Sequence, residues 1–151
     1  MTKLSRISFG STAAIVTSMA LITGLEAAGV AKSTVVSALL IAALADNLTD
    51  SLSIHMYQES ERLEQREAFI GTLSNFATRF VGCLSFVVIV AICPPAIAVW
   101  CAIVWGMMLL IVLSYLLARA RNVSEFPEMV KHVIVAVAVL FVSKGIALWL
   151  A

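Results

Sequence analysis

Long apolar segments separated by short polar breaks run through the whole chain. A membrane-spanning helix needs about 20 mostly apolar residues, and five segments meet that requirement. None of them alternates apolar and polar residues with the period of a β-strand, which excludes a barrel. The pattern predicts an all-α integral membrane protein with five transmembrane helices in a single transmembrane domain. The approximate spans are 8–30, 34–57, 70–93, 95–118 and 129–151.

The breaks between the spans each have a local cause. The stretch "EAAGVAKS" (26–33) supplies a glycine and two charges, and "CPP" (93–95) stops a helix because proline lacks a backbone N–H. The connector over 59–67 is strongly charged, and "RARNVSEFPE" (119–128) is a polar loop containing a proline. These breaks set where each predicted span begins and ends.

The basic residues predict the orientation of the spans. Lysine and arginine collect in the cytoplasmic loops of membrane proteins. With the N-terminus in the cytoplasm and the C-terminus outside, seven of the ten basic residues lie at cytoplasmic ends: Lys3, Arg6, Arg62, Arg66, Arg119, Arg121 and Lys131. Lys32 lies on the opposite side, and Arg79 and Lys144 fall within spans. The compact chain with its short N-terminus favours a bacterial cytoplasmic membrane.

The composition excludes several classes of protein. Of 151 residues, 62% are hydrophobic and 13% are charged, which is far too apolar for a small water-soluble domain. The net charge of +1 gives no basic field for nucleic acid. The three cysteines show no CxxC spacing and are interpreted as small buried apolar side chains. Because HExxH, GxSxG and a glycine-rich phosphate loop are all missing, no enzyme is predicted.

Carboxylates form a stripe along the second span. Each helical residue advances by about 100°, so Asp50, Ser53 and Tyr57 fall within about 40° of Asp46. Met56 flanks this face. If the helix continues beyond the membrane surface, the same face carries further carboxylates toward the cytoplasm, at Glu61, Glu64 and Glu67.

The depth of the two aspartates has two interpretations. Asp46 lies near the membrane midplane, where an ionised carboxylate costs about 2.5–3.5 kcal/mol and commonly marks an ion or proton path. On the other interpretation the carboxylates are simply neutralised as buried ion pairs. Arg79 lies near the depth of Asp50, and Lys144 could reach toward Asp46 with its stem extended. Both interpretations stay open.

The connector "ERLEQRE" (61–67) also has two interpretations. Glu61, Glu64 and Glu67 recur at i, i+3 and i+6, and clusters of carboxylate oxygens suit divalent cations. Arg62 and Arg66 are interleaved with them, which is typical of an amphipathic charged connector with no metal role.

The segments together resemble the vacuolar iron transporter family. In "SIHMYQESERLE" a methionine-bearing stretch leads to the aromatic Tyr57 and the pair Ser60 and Glu61, similar to the end of the family's second span. "RFVGCLSFVVIVAICPPAIAV" is similar to its third span and "SKGIALWL" to its last. "IVTSMALITGL" is similar to its first span, with Thr17 and Gly24 in matching positions. The resemblance implies a homodimer that carries ferrous iron or manganese in exchange for protons.

The chain departs from the family at the ligand positions. The Asp-Gly pair of the first span is replaced by Ala13 and Ala14, the methionine of the second span by Leu52, and a Gly-Glu pair by His55 and Met56. Either the chain has lost transport or it has a relocated metal set. Its members are Asp46, Asp50, Met56, Glu61, Glu64 and Glu67, with Asn47, Ser53, Tyr57, Thr17 and Met19 along the transport path.

We therefore expect a transporter that moves a divalent transition-metal cation, iron or manganese, out of the cytoplasm. The metal is its cargo, and no resident cofactor is expected. The alternative is a non-transporting membrane scaffold or partner subunit, in which Asp46, Asp50, Arg79 and Lys144 form a static charge network.

Overall fold

Five α-helices make up the part of the chain that the computed structural model describes, residues 3–60 and 65–150, and no strand occurs there. Each helix covers the middle of one predicted apolar segment, so the all-α prediction is confirmed. The helices are α1 (Lys3–Ala27), α2 (Lys32–Ser60), α3 (Gln65–Ile92), α4 (Pro95–Ala120) and α5 (Glu125–Leu150).

Three turns end the helices where the sequence predicts breaks. Gly29 follows α1 with a φ of 70°, and Asn122 follows α4 with a φ of 53°. Both have the left-handed conformation that ends helices and that glycine and asparagine tolerate best. Between α3 and α4, Pro94 caps the helix and Pro95 occupies its first position, where a missing N–H costs no hydrogen bond.

α1 is the central helix of the bundle. It packs against each of the other four helices, and the remaining packed pairs are α2 with α3, α3 with α4, and α4 with α5. The outer helices therefore form an arc around α1 in chain order, without comparable packing between α2 and α5. The contact between α2 and α3 is the most extensive of all.

The apolar core lies where α1 meets its neighbours. Met19, Ile22, Leu39, Phe86 and Leu110 are among its fully buried side chains. Within a bilayer the hydrophobic effect does not drive helices together, and small residues let their backbones approach closely. Helix α4 buries a stripe of mostly small residues at every fourth position. This stripe consists of Ala98, Ala102, Gly106, Leu110, Ser114 and Ala118.

The outer surface of the bundle is strongly apolar. Large side chains such as Ile92, Phe141 and Trp149 are at least 74% exposed, which a water-soluble monomer rarely shows over a wide surface. Four helices, α2 to α5, are long and apolar enough to cross a membrane. The described apolar part of α1, Ser11–Ala27, is shorter. These features place the chain among membrane-embedded helical proteins.

The first prediction concerns the tight packing around Gly106. A methyl group there would overlap the side chain of Met19 and press on the ring of Phe86, both fully buried. We expect Gly106→Ala to lower the free energy of unfolding by about 1–3 kcal/mol because the core is overpacked. Thermal unfolding of the detergent-purified protein measures the effect.

Gly82→Ala is the matched control, since a methyl group on Gly82 meets no atom within 4 Å. We expect the control to be neutral or slightly stabilising, because alanine favours a helix over glycine. In a Met19→Ala background the cost of Gly106→Ala should largely disappear. Equal unfolding temperatures for the two glycine variants would contradict the packing described above.

Candidate functional site

The contact between α2 and α3 changes from apolar to polar along its length. The buried residues of α2 recur every fourth position, first as Val35, Leu39 and Ala43 and then as Asn47 and Ser51. On α3 the buried positions opposite the polar part include Asn75 and Arg79, and Asp50 lies at the edge of the contact. We call Asn47, Asp50, Ser51, Asn75 and Arg79 the polar seam.

Arg79 is the central side chain of the polar seam. Its side chain is only 4% exposed, although guanidinium groups are rarely buried without partners. Nε donates a hydrogen bond of 2.9 Å to Oδ1 of Asn47, and Nη1 forms an ion pair with Oδ2 of Asp50. Asp50 itself is 45% exposed. The predicted neutralisation of Asp50 by Arg79 is therefore seen, with Asn47 as a second partner.

The polar seam reaches α1 through Cys83. The thiol of Cys83 is buried and accepts hydrogen bonds from the amide of Asn47 at 3.9 Å and from the hydroxyl of Ser18 at 3.7 Å. Sulfur is a weak acceptor, so these contacts position the side chains more than they stabilise them. Asn47 thus uses both polar atoms of its amide: Oδ1 accepts from Arg79, and Nδ2 donates to Cys83.

Two members of the seam have unsatisfied polar atoms. Asn75 is fully buried, and neither its side-chain nitrogen nor its oxygen has a hydrogen-bond partner among the described residues. The hydroxyl of Ser51 is likewise buried and unpartnered there. The pairs Asn47–Arg79 and His55–Thr72 fix the antiparallel register of α2 and α3, and that register sets Ser51 opposite Asn75. Buried polar groups normally find a partner or an ordered water, so this is a place where water would fit.

Asp46 lies outside the polar seam on the outer face of α2. Its side chain is exposed and makes no ion pair with any described residue. Around it the outer face of α2 is a mixture of apolar and polar side chains. They are Leu48, Thr49, Leu52, Ser53, Met56 and Tyr57, all exposed. Thr49 and Ser53 turn their hydroxyls back onto the carbonyl oxygens of Ala45 and Thr49.

The predicted stripe therefore divides by environment. Asp46, Ser53, Met56 and Tyr57 share one exposed face, while Asp50 turns to Arg79. Asn47, which the sequence placed along a transport path, is 1% exposed and held within the seam.

The predicted stripe continues into the carboxylates of the connector, whose side chains the structure does not describe. Glu61 and Glu64 lie outside the described residues, and the side chain of Glu67 also lies outside them. Among the residues that the structure does describe, no three His, Cys, Asp or Glu side chains cluster as metal ligands would.

Three residues lie away from the stripe. Met19 is fully buried in the core against Gly106, and Thr17 lines the groove between α1 and α5. Neither lies on the outer face of α2, because α1 is the central helix and turns these positions toward α4 and α5. Lys144 lines a cavity with residues of α1 and α4 and forms no ion pair with Asp46. The pair of Lys144 with Asp46, one of the interpretations left open by the sequence, is not seen among the described residues.

Cys93 offers no thiolate for a metal. Cys93, in the turn between α3 and α4, and Cys101 are half-buried and free. Desolvation, and then a hydrogen bond with the Cys101 thiol, raise the pKa of the Cys93 thiol above its ordinary value. It therefore stays protonated at neutral pH, and the thiol form is a poor ligand.

Three residues of this site, Ser51, Asn75 and Cys83, were not predicted from the sequence. A usable signal exists for the last two, because Asn75, Arg79 and Cys83 recur every four residues and therefore share one face of α3. Ser51 carries no such signal beyond its place one residue after Asp50.

No protein-family model, curated protein or solved structure matches the chain. The resemblance to vacuolar iron transporters thus stays a prediction from the sequence motifs.

The ion pair in the polar seam generates the second prediction. Asp50→Ala leaves a buried guanidinium with only Asn47 as partner, and we expect a loss of about 3–5 kcal/mol in the free energy of unfolding. The double variant Asp50→Ala/Arg79→Met removes both charges, and it should be more stable than Asp50→Ala alone. Thermal or denaturant unfolding in detergent measures both.

The surface pair of Lys131 with Glu128, at 2.9 Å and with its lysine 68% exposed, provides the control. Glu128→Ala should cost less than about 1 kcal/mol, as exposed ion pairs do. If Asp50→Ala is no more harmful than Glu128→Ala, Arg79 does not depend on its carboxylate partner.

Proposed function

We propose that the chain is a homodimeric membrane transporter that moves a divalent transition-metal cation, iron or manganese, out of the cytoplasm in exchange for protons. It would cross a bacterial cytoplasmic membrane five times. In this arrangement α1 crosses the membrane in addition to the four helices that are long and apolar enough to do so. The distribution of lysine and arginine favours an N-terminus in the cytoplasm and a C-terminus outside.

The observation that carries the proposal is the environment of Asp46. It lies midway along α2, one of the helices apolar enough to cross a membrane. Its side chain is exposed and has no ion pair in the described part of the chain. A carboxylate at this depth, facing lipid, costs about 2.5–3.5 kcal/mol or more. Such residues normally face a protein partner or a water-filled path, and either would cover this face of α2.

A second copy of the chain supplies such a cover with matching chemistry. A two-fold dimer places the same surface against itself. Two outer faces of α2 would bring together two Asp46 carboxylates at one depth and two Met56 thioethers about 15 Å nearer the cytoplasm. One copy alone has too few donors for a metal ion at either depth, whereas the pair offers two carboxylates and then two thioethers along one path, and both suit borderline divalent cations. Glu61, Glu64 and Glu67 would collect the cation at the cytoplasmic mouth.

Transport in proteoliposomes tests this proposal. With an acidic lumen containing a metal-sensitive dye, we expect ferrous or manganous ion to enter as protons leave. Asp46→Asn should reduce the rate to that of protein-free vesicles, because it removes the charge that a cation and a proton would share.

Glu125→Gln is the matched control. This residue is a carboxylate at the start of α5, whose pair with Arg119 is long and largely exposed. It should transport like the wild-type chain. If Asp46→Asn transports metal at the wild-type rate, the assignment of Asp46 is wrong. If the wild-type protein transports no first-row divalent ion, the transport proposal is wrong.

Cysteine cross-linking tests the dimer separately. Thr49 lies on the exposed face of α2 next to Asp46, and Val104 is 68% exposed on α4. We expect oxidation of Thr49→Cys in membranes to give a covalent dimer on non-reducing gels, and Val104→Cys to stay monomeric. The reverse result would place the interface on another face.

The second candidate function is a non-transporting scaffold or partner subunit. The ion pair of the buried Arg79 with Asp50, braced by Asn47, favours it, because a fixed guanidinium beside a carboxylate repels an incoming cation. On this proposal Asp46 meets a basic side chain of a different membrane protein. The scaffold candidate predicts no metal uptake by the wild-type chain and loss of folding in Asp50→Ala.

A further inference from the structure

A cavity with charges of both signs lies between α1, α4 and α5. It has a volume of about 360 Å³ and is found at the end of the bundle that carries the α1–α2 and α3–α4 turns. Its walls include Glu26 from α1, Trp100 from α4 and Lys144 from α5. We call it the end cavity. It is separate from the polar seam and from the outer face of α2.

The two charged side chains of the end cavity do not neutralise each other. Neither Glu26 nor Lys144 forms an ion pair with any described residue. Lys32 also lies near Glu26, but its ammonium donates hydrogen bonds to the carbonyl oxygens of Ala91 and Cys93, at 2.7 and 3.0 Å. The cavity therefore holds one carboxylate and one ammonium that are both available to a ligand.

A third polar group is buried in the same wall. Thr23 is 8% exposed and lines the end cavity. Its hydroxyl has no hydrogen-bond partner among the described residues. A buried hydroxyl without a partner is costly. The oxygen is itself enclosed, so a rotation of χ1 brings it to a ligand oxygen in the cavity, which would satisfy it.

The polar groups are ordered along the helix axes. The hydroxyl of Ser143 donates to the carbonyl of Ala20 at 2.7 Å and lies against Gly24, so Lys144 is at the level of Thr23. Glu26 lies one helical turn nearer the end of the bundle, about 4.5 Å farther along the axis.

The deeper walls of the end cavity are apolar. Ile103 and Val137 line it toward the middle of the bundle, and Trp100 lies nearer its end, where tryptophan favours the membrane interface. From the membrane interior outward, the wall thus presents apolar side chains, then a cation with a hydroxyl, then a carboxylate.

We propose that the end cavity binds a phospholipid whose headgroup is a phosphate joined to a primary ammonium, that is, a phosphoethanolamine lipid. Lys144 and Thr23 hold the phosphate oxygens, Glu26 accepts hydrogen bonds from the ammonium, and the first part of an acyl chain lies along Ile103 and Val137. The order of groups in the wall is the order of groups in such a lipid. A quaternary ammonium has no N–H to donate to Glu26, and a glycerol headgroup has no cation. The site does not depend on metal transport.

Native mass spectrometry of the whole protein, extracted in detergent with equal amounts of phosphoethanolamine, phosphocholine and phosphoglycerol lipids, tests the proposal. We expect the phosphoethanolamine lipid to be retained about tenfold more than either of the others, as a charge-assisted hydrogen bond allows. Glu26→Gln should remove the preference over phosphocholine, and Lys144→Gln should lower retention of all three lipids.

Lys131→Gln is the matched control, because this exposed lysine lies on the same helix at its other end. It should retain lipid like the wild type. Thr23→Val, nearly isosteric, should weaken retention without lowering the melting temperature, because it removes a hydroxyl that has no partner in the lipid-free protein. Soluble phosphoethanolamine should compete at least about tenfold less well than the lipid, since it lacks the acyl chain that contacts the apolar wall. Equal retention of the three lipids, unchanged retention in Lys144→Gln, or equal competition by the soluble headgroup would overturn the proposal.

Discussion

The buried guanidinium of Arg79 is the constraint on which the α2–α3 half of the molecule depends. A charge inside an apolar bundle is tolerated only with a carboxylate and hydrogen-bond acceptors around it. Asp50 and Asn47 meet that need from α2, so they also fix the register of the most extensive helix pair. Asn47 in turn contacts Cys83, to which Ser18 of α1 donates. One charge thus ties three helices together, and a shift of α2 by one residue would break the whole set.

Much of the fold follows from the pattern of apolar segments, because the bilayer requires long helices and the turns carry glycine, proline or asparagine. The angular phase of the acidic stripe could also be worked out, since it depends only on helical geometry. The direction in which that stripe faces could not, because it depends on where α3 lies. Asp50 meets Arg79 while Asp46, one turn away, does not. The position of Lys144 in a cavity with Glu26 could not be predicted for the same reason: the order of helices around α1 is a tertiary property that residue spacing does not contain.

The two aspartates, one turn apart on α2, have different environments. Asp50 is committed to the buried guanidinium of Arg79 and keeps α2 against α3, whereas Asp46 is left to whatever covers the outer face of α2. The fixed pair limits how far α2 can slide, and it keeps the exposed carboxylate at a constant depth. A static charge network and a transport site are therefore compatible in this chain. The network supports the position of Asp46 rather than replacing it.

The central position of α1 has a consequence for biogenesis. The hydrogen bond from Ser143 to the carbonyl of Ala20 joins residues 123 positions apart in the sequence. α1 therefore meets α5 only after the three helices between them have been synthesised. Until then the face of α1 that packs against α5 is left to lipid or to the insertion machinery. Helices α2, α3 and α4 can each pack on α1 as they emerge, but the bundle closes only when α5 docks.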